Sequence, residues 1–121
     1  MTVRGCKDLN VWKKSIDLVD FVYDVTEKFP SNQNYRLVDQ LQRCAVSVPS
    51  NIAEGSERHT TKEYIQFLYI SKGSLAELET QLMIALRRKY ISEKQMQEFS
   101  TQINDVDKML FGLIKNLKEK I

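Results

Sequence analysis

The chain has little of what loops, hairpins, disulfide scaffolds and membrane spans require. Four glycines and two prolines in 121 residues leave too little turn chemistry for a sheet-rich fold with many hairpins. Two cysteines, Cys6 and Cys44, stand far from any CxxC spacing, with His59 as the only histidine to assist them. A metal site is therefore not expected, and both thiols are expected to be reduced and unpaired. No apolar run approaches the ~18 residues of a membrane span, and the N-terminus lacks the charged, apolar and small-residue pattern of a signal peptide. The expectation is a cytoplasmic protein with no membrane association. Catalytic groupings are equally scarce. His59, beside Thr60 and Thr61, has no nucleophile or positioned carboxylate pattern around it, so neither an enzyme nor a cofactor is expected.

What is present is helical periodicity in a chain that is 42% hydrophobic and 28% charged, enough for one compact domain over residues 1–121. Leu9, Trp12, Ile16, Val19, Tyr23 and Thr26 recur at spacings of three and four, predicting a first helix that Pro30 ends. Leu37, Leu41, Cys44, Val48 and Ile52 continue the pattern in a second, running to Gly55, a residue suited to a left-handed helix stop. Thr60-Thr-Lys-Glu63 and Ser92-Glu-Lys-Gln95 match the capping box, in which a hydroxyl and a carboxylate or amide satisfy free backbone N–H groups reciprocally. They open a third helix with the stripe Tyr64, Leu68, Ser71, Leu75, Leu78, Leu82 and Ala85, and a fourth with Met96, Phe99, Ile103, Val106, Leu110, Leu113 and Leu117. Short connections make neighbours antiparallel, so the predicted fold is an all-α, up-and-down four-helix bundle.

Pro49 falls inside the second helix, where it lacks an N–H for the carbonyl of Ala45 and costs ~3 kcal/mol. Because the apolar spacing stays in phase from Leu41 to Ile52, the helix is expected to bend and continue. Ala45, Ser47, Ser50 and Ala53 leave room, and serine hydroxyls or Asn51 can bond freed carbonyls. Folding the second and third helices back on each other puts Ala45 opposite Gly73, Ser47 near Ser71, and Arg43 beside Ser74 and Glu77. Arg43 is expected to pair with Glu77, with Glu79 behind it, and Glu54 with Arg58.

The segments QLQRCAVSVPSNIAEG (40–55) and GSLAELETQ (73–81), with DLNVW (8–12) and KFP (28–30), resemble the small four-helix bundle proteins encoded in intervening sequences of bacterial 23S ribosomal RNA genes. The likeness spans nearly the whole chain. The matching motif residues are Arg43, Ser47, Pro49, Asn51, Glu54, Gly55, Gly73, Ser74, Glu77 and Glu79; the resemblance gives them no catalytic role, and a shared structural role is the expectation beside a functional one. Cys44 departs from the family, which more often has alanine there, a change expected to alter packing little. That family is similar in fold to the accessory variability proteins of diversity-generating retroelements, barrel-shaped homopentamers that associate with nucleic acid and a reverse transcriptase. The resemblance implies a homo-oligomer, a pentamer first, with RNA or DNA and a reverse transcriptase or other protein as partners. It supplies no catalytic site.

The net charge of +2 is weakly basic, but its distribution is uneven. An up-and-down bundle gathers Arg4, Lys7, Lys13, Lys14, Arg58, Lys62, Lys115, Lys118 and Lys120 at one end, nine cations against the five acids Asp8, Glu54, Glu57, Glu63 and Glu119. These nine are the candidate nucleic-acid contacts. The opposite end carries Arg87, Arg88, Lys89 and Lys94. Val11, Leu18, Val22, Val25 and Phe29 form a second apolar stripe on the first helix, and Phe67 and Ile70 widen the third. This surplus points to contacts between copies or to a protein-interaction scaffold without a nucleic-acid role.

Overall fold

The computed structural model describes residues 9–30 and 35–121. Four helices follow in order: α1, Asn10–Thr26; α2, Tyr35–Ser56; α3, Thr61–Arg87; and α4, Glu93–Lys118. Each packs on the next, and α1 also packs on α4, which closes the bundle into a ring of four. No strand occurs among the described residues.

In α1 the two apolar stripes exchange roles. Val11, Leu18, Val22 and Val25 are buried, as is Phe29 beyond the helix, whereas Tyr23 is exposed and Trp12 and Val19 only pack against the core's edge. The row expected to serve contacts between copies is thus buried in this bundle's own core and is not open to such contacts. Two hydroxyl residues disguise that row in the sequence. Ser15 is fully buried and donates to the Trp12 carbonyl at 2.7 Å, and buried Thr26 donates to the Val22 carbonyl at 2.7 Å. Each satisfies its own polar group locally, which makes it as buriable as an alkyl side chain.

α2 runs unbroken through Pro49, as the in-phase spacing requires. Asn51 Nδ2 donates to the Ser47 carbonyl at 2.8 Å and to Ser47 Oγ at 3.0 Å, while Ser71 Oγ from α3 donates to the Val48 carbonyl at 2.9 Å. These donors bond the Ser47 and Val48 carbonyls just before the proline and not that of Ala45, whose N–H partner the proline lacks; Pro49 itself is buried. The close approach of α2 to α3 lies elsewhere than expected. Gly73 is exposed, and a Cβ built there meets nothing within 4 Å, so it does not face Ala45. Ser71 and Leu75 point inward, and a residue two positions from each lies about 200° around the helix, on its outer side. Antiparallel pairing of the two helices fixes a residue's level along the bundle but not its angle around the helix. The thin spot is Gly55, where a Cβ would sit 2.7 Å from Phe67 Cβ and 3.0 Å from Tyr64 Cδ1. Gly55 has no positive φ and is helical, so it permits packing instead of a left-handed stop. Ser47 correspondingly bonds Ser74 and not Ser71.

α3 is capped by Thr60, whose Oγ1 accepts from the Glu63 N–H at 3.1 Å and donates to the Glu63 carboxylate at 3.1 Å. Of the two expected boxes only that of Ser92 is fully reciprocal, with Gln95 N donating to Ser92 Oγ at 3.0 Å and Ser92 N donating to Gln95 Oε1 at 2.9 Å. Every residue of the expected α3 stripe is buried. The α4 stripe holds through Leu110, after which Ile114 is buried and Leu113 and Leu117 are only packed against the core. A straight helix drifts ~20° per heptad from a strict seven-residue repeat, which brings Ile114 inward. Phe21 on α1 meets Phe99 on α4 at 4.3 Å between ring centroids, and Lys72 pairs with Asp107 across α3 and α4 at 2.7 Å.

Candidate nucleic-acid interface and motif groove

The antiparallel order brings the start of α1, the turn between α2 and α3, and the end of α4 to one end of the bundle. Leu9 and Asn10 share a groove with Lys115, Asn116 and Glu119, and Lys118 Nζ donates to Tyr69 Oη at 2.8 Å. Lys13 and Lys14 are exposed in the first turns of α1, Lys62 in the first turn of α3, and Lys115 and Lys120 around the end of α4. None of these five forms an ion pair with another described residue. Arg58 differs: it donates to Glu54 Oε1 at 2.9 Å, the expected pair, and lies 4.6 Å over the Phe67 ring. Its charge is already met. Arg4 and Lys7 lie outside the described residues. At the far end Arg87, Arg88, Lys89 and Lys94 are all exposed.

The motif residues split into two groups. Arg43, Ser47, Ser74 and Glu77 line one shallow groove of ≈ 390 Å3 between α2 and α3, together with Gln40, Cys44 and Gln81. Pro49 and Gly55 are buried packing residues, Asn51 braces the proline turn, and Gly73 is open to solvent. Within the groove Ser47 and Ser74 share a hydrogen bond of 2.7 Å. Arg43 does not pair with Glu77. Its side chain is 80% exposed, and Nε lies 3.3 Å from Asp39 Oδ2, one turn back on its own helix. Asp39 lies one turn away on the same helix, and both groups of the pair stay largely in water. Glu79, placed behind Glu77, is half-buried and forms no ion pair with a described residue.

Cys44 contributes more than volume. Its Sγ donates to the Ser74 carbonyl at 3.0 Å and lies 3.9 Å from Glu77 Oε2. Burial, then the neighbouring Glu77 charge and hydrogen bond, push its pKa up to about 11. At neutral pH it is a protonated donor, unsuited to nucleophilic attack or metal ligation. Cys44 is a free thiol, and Cys6 lies outside the described residues. No cluster of three or more metal-ligating side chains occurs among the described residues, and no described helix is long and apolar enough to cross a membrane.

A second groove joins exposed aromatics to the basic end. Tyr69 and Phe111, 46% and 62% exposed, line it with Lys115 and Lys118. Sequence inspection does not single out these aromatics, although Phe111, Lys115 and Lys118 recur at helical spacing off the core stripe.

The chain belongs to the 23S rRNA-intervening sequence protein family, whose family model matches residues 7–112. It is similar to a crystal structure, at 1.70 Å resolution, of a protein of unknown function from the S23 ribosomal protein family of Bacteroides thetaiotaomicron VPI-5482. The two share 23% identity over 87% of this chain and 98% of that one, with a TM-score of 0.80, a likeness of fold. No curated protein matches the chain significantly.

Proposed function

We propose that this member of the intervening-sequence family is a non-enzymatic accessory protein, acting in the cytoplasm as a homo-oligomer, that holds RNA or DNA through its basic end. The observation that carries this reading is the set of exposed lysines, Lys13, Lys14, Lys62, Lys115 and Lys120, collected at one end without ion-pair partners among the described residues. Phosphate binding sums many modest contacts, so repeating such a patch in an oligomer compensates for a net charge of only +2. Support for self-association moves from α1 to exposed aliphatics on α2 and α3, Val46, Ile70 and Ile84; Ile70 and Ile84 occupy the same heptad position on α3. A pentamer is the expected assembly, by analogy with the retroelement accessory proteins, and a reverse transcriptase is one protein partner that analogy suggests.

The same exposed aliphatics favour a second reading, a protein-interaction scaffold with no nucleic-acid role. Filter binding of wild-type protein to RNA and to DNA over a salt series separates the two. Retention that falls steeply with salt is expected, because counterion release makes phosphate binding salt-dependent. Absence of retention at low salt, with a salt-insensitive protein complex instead, would establish the scaffold. Light scattering tests assembly: a monomer at tens of micromolar removes the oligomer, and a dimer or tetramer removes the pentamer.

A further inference from the structure

The groove between α3 and α4 has a volume of ≈ 420 Å3, and buried Ile114 contributes to its lining. Tyr69 and Phe111 present it with aromatic surface from two different helices, and Phe111 is 62% exposed. Ordinary solvent-facing helix positions carry polar residues, so two aromatics opening onto one cleft are costly surface without a ligand. The charges around them are specific. Lys72 is committed to Asp107 at 2.7 Å, which leaves Lys115 and Lys118 against the single carboxylate of Glu119. Lys118 Nζ is held at the rim, 2.8 Å from Tyr69 Oη and 5.3 Å from that ring's centroid.

We propose that this groove takes one unpaired nucleotide of a single-stranded RNA or DNA, its base against Phe111 and Tyr69 and its flanking phosphates on Lys115 and Lys118. The inference rests on the nucleic-acid reading above and adds to it a preference for single strands. A base offers a flat, weakly hydrated face that aromatic side chains can stack on, and every base has one, so the site tolerates sequence. The backbone on either side of that base carries the charge the two lysines match. A duplex keeps its bases stacked internally and cannot offer one to the cleft. The volume lies in the range of small-ligand sites, ~300–1,000 Å3. A second copy related by a two-fold axis fits less well, and a head-to-tail neighbour, as in a pentamer, is read by the assembly mass below. A self-complementary contact would turn Lys115 and Lys118 toward the same residues of the other copy, with only Glu119 to offset them.

Fluorescence anisotropy with a labelled oligouridylate and a labelled RNA duplex of equal length tests this in wild type, Phe111→Ala and Phe111→Tyr. Phe111→Ala is expected to weaken single-strand binding by roughly 5- to 100-fold. Phe111→Tyr should retain it, and duplex affinity should be the same in all three. Circular dichroism checks the fold, which the exposure of Phe111 protects. If wild type binds neither probe, the nucleic-acid reading falls and this inference with it. If wild type binds but Phe111→Ala changes nothing, or weakens both probes alike, the stacking site falls while phosphate binding stands. A drop in assembly mass on Phe111→Ala would make the groove an interface between copies and overturn the assignment.

Discussion

Replacing Gly55 with alanine pits two known effects against each other at one atom. In an open helix position alanine stabilises relative to glycine by about 1 kcal/mol, because it loses less backbone freedom on folding. At Gly55 the new Cβ would stand 2.7 Å from Phe67 Cβ, 3.0 Å from Tyr64 Cδ1 and 3.3 Å from the Tyr64 carbonyl oxygen. Carbon atoms rest at ~3.5–4.0 Å, so about 1 Å must be found. Phe67 Cβ is fixed to its backbone and cannot rotate away, so α2 and α3 must separate locally. Overpacking of this kind costs ~1–3 kcal/mol, which meets or exceeds the propensity gain. We expect net destabilisation of up to about 2 kcal/mol and, at ~3–6 °C per kcal/mol for a chain of this size, a melting midpoint lower by several degrees. Gly73→Ala is the internal control, because its Cβ enters open space and should stabilise the protein by about 0.5–1 kcal/mol. Urea and thermal unfolding followed by circular dichroism read both. A Gly55→Ala protein stabilised as at an open helix position, or a destabilised Gly73→Ala protein, would refute the placement of the close approach.

Lys89 sits at φ 66°, in the left-handed position of a helix stop in which Tyr90 N donates to the Ala85 carbonyl and Lys89 N to the Leu86 carbonyl, both at 2.9 Å. Lys89→Gly should therefore stabilise by up to about 1 kcal/mol in the same unfolding assay, since glycine adopts that conformation freely. Ser92→Ala removes the acceptor for Gln95 N and half of the capping box, so it should cost about 1 kcal/mol. Cys44 has a folded pKa of about 11 against 9.0 for the free thiol. Below pH 9 both states are protonated and its contribution is complete; as pH rises toward 11 only the unfolded chain ionises, so stability falls. Urea midpoints across that range should decline more steeply in wild type than in Cys44→Ala, and equal slopes would show that the thiol is not shielded.

The helices were legible where large apolar residues fill a regular seam, as in α3, whose whole expected stripe is buried. They were misread where a buried hydroxyl stands in the seam. Ser15 interrupts the true α1 row, and only its bond to the Trp12 carbonyl reveals that its polar group is satisfied within the helix. Pro49 was interpretable because periodicity continued across it. Gly55 and Gly73 were confused because folding two helices back on each other gives the height of a residue along the bundle, whereas close packing also depends on its angle around the helix. Arg43 and Glu77 do line the same groove, as the folded-back helices require, but pairing them would have required a solvent-exposed guanidinium to leave a nearer carboxylate. The basic end was readable because topology alone collects the relevant termini. The aromatic cleft was not, since Tyr69 and Phe111 belong to different helices and neither lies on a core stripe.

The most direct measurement of the nucleic-acid claim is the salt slope of binding for wild type and for a protein with Lys13→Gln and Lys14→Gln together. Both lysines are exposed on α1 and outside its buried row, so fold and assembly should persist. Each phosphate contact contributes ~0.7–0.9 to the slope of log affinity against log salt, so losing two should flatten it by about 1.5 units. The loss should be alike for RNA and DNA of any sequence. Equal affinities and equal slopes for the two proteins would contradict the account and remove this surface from nucleic-acid binding.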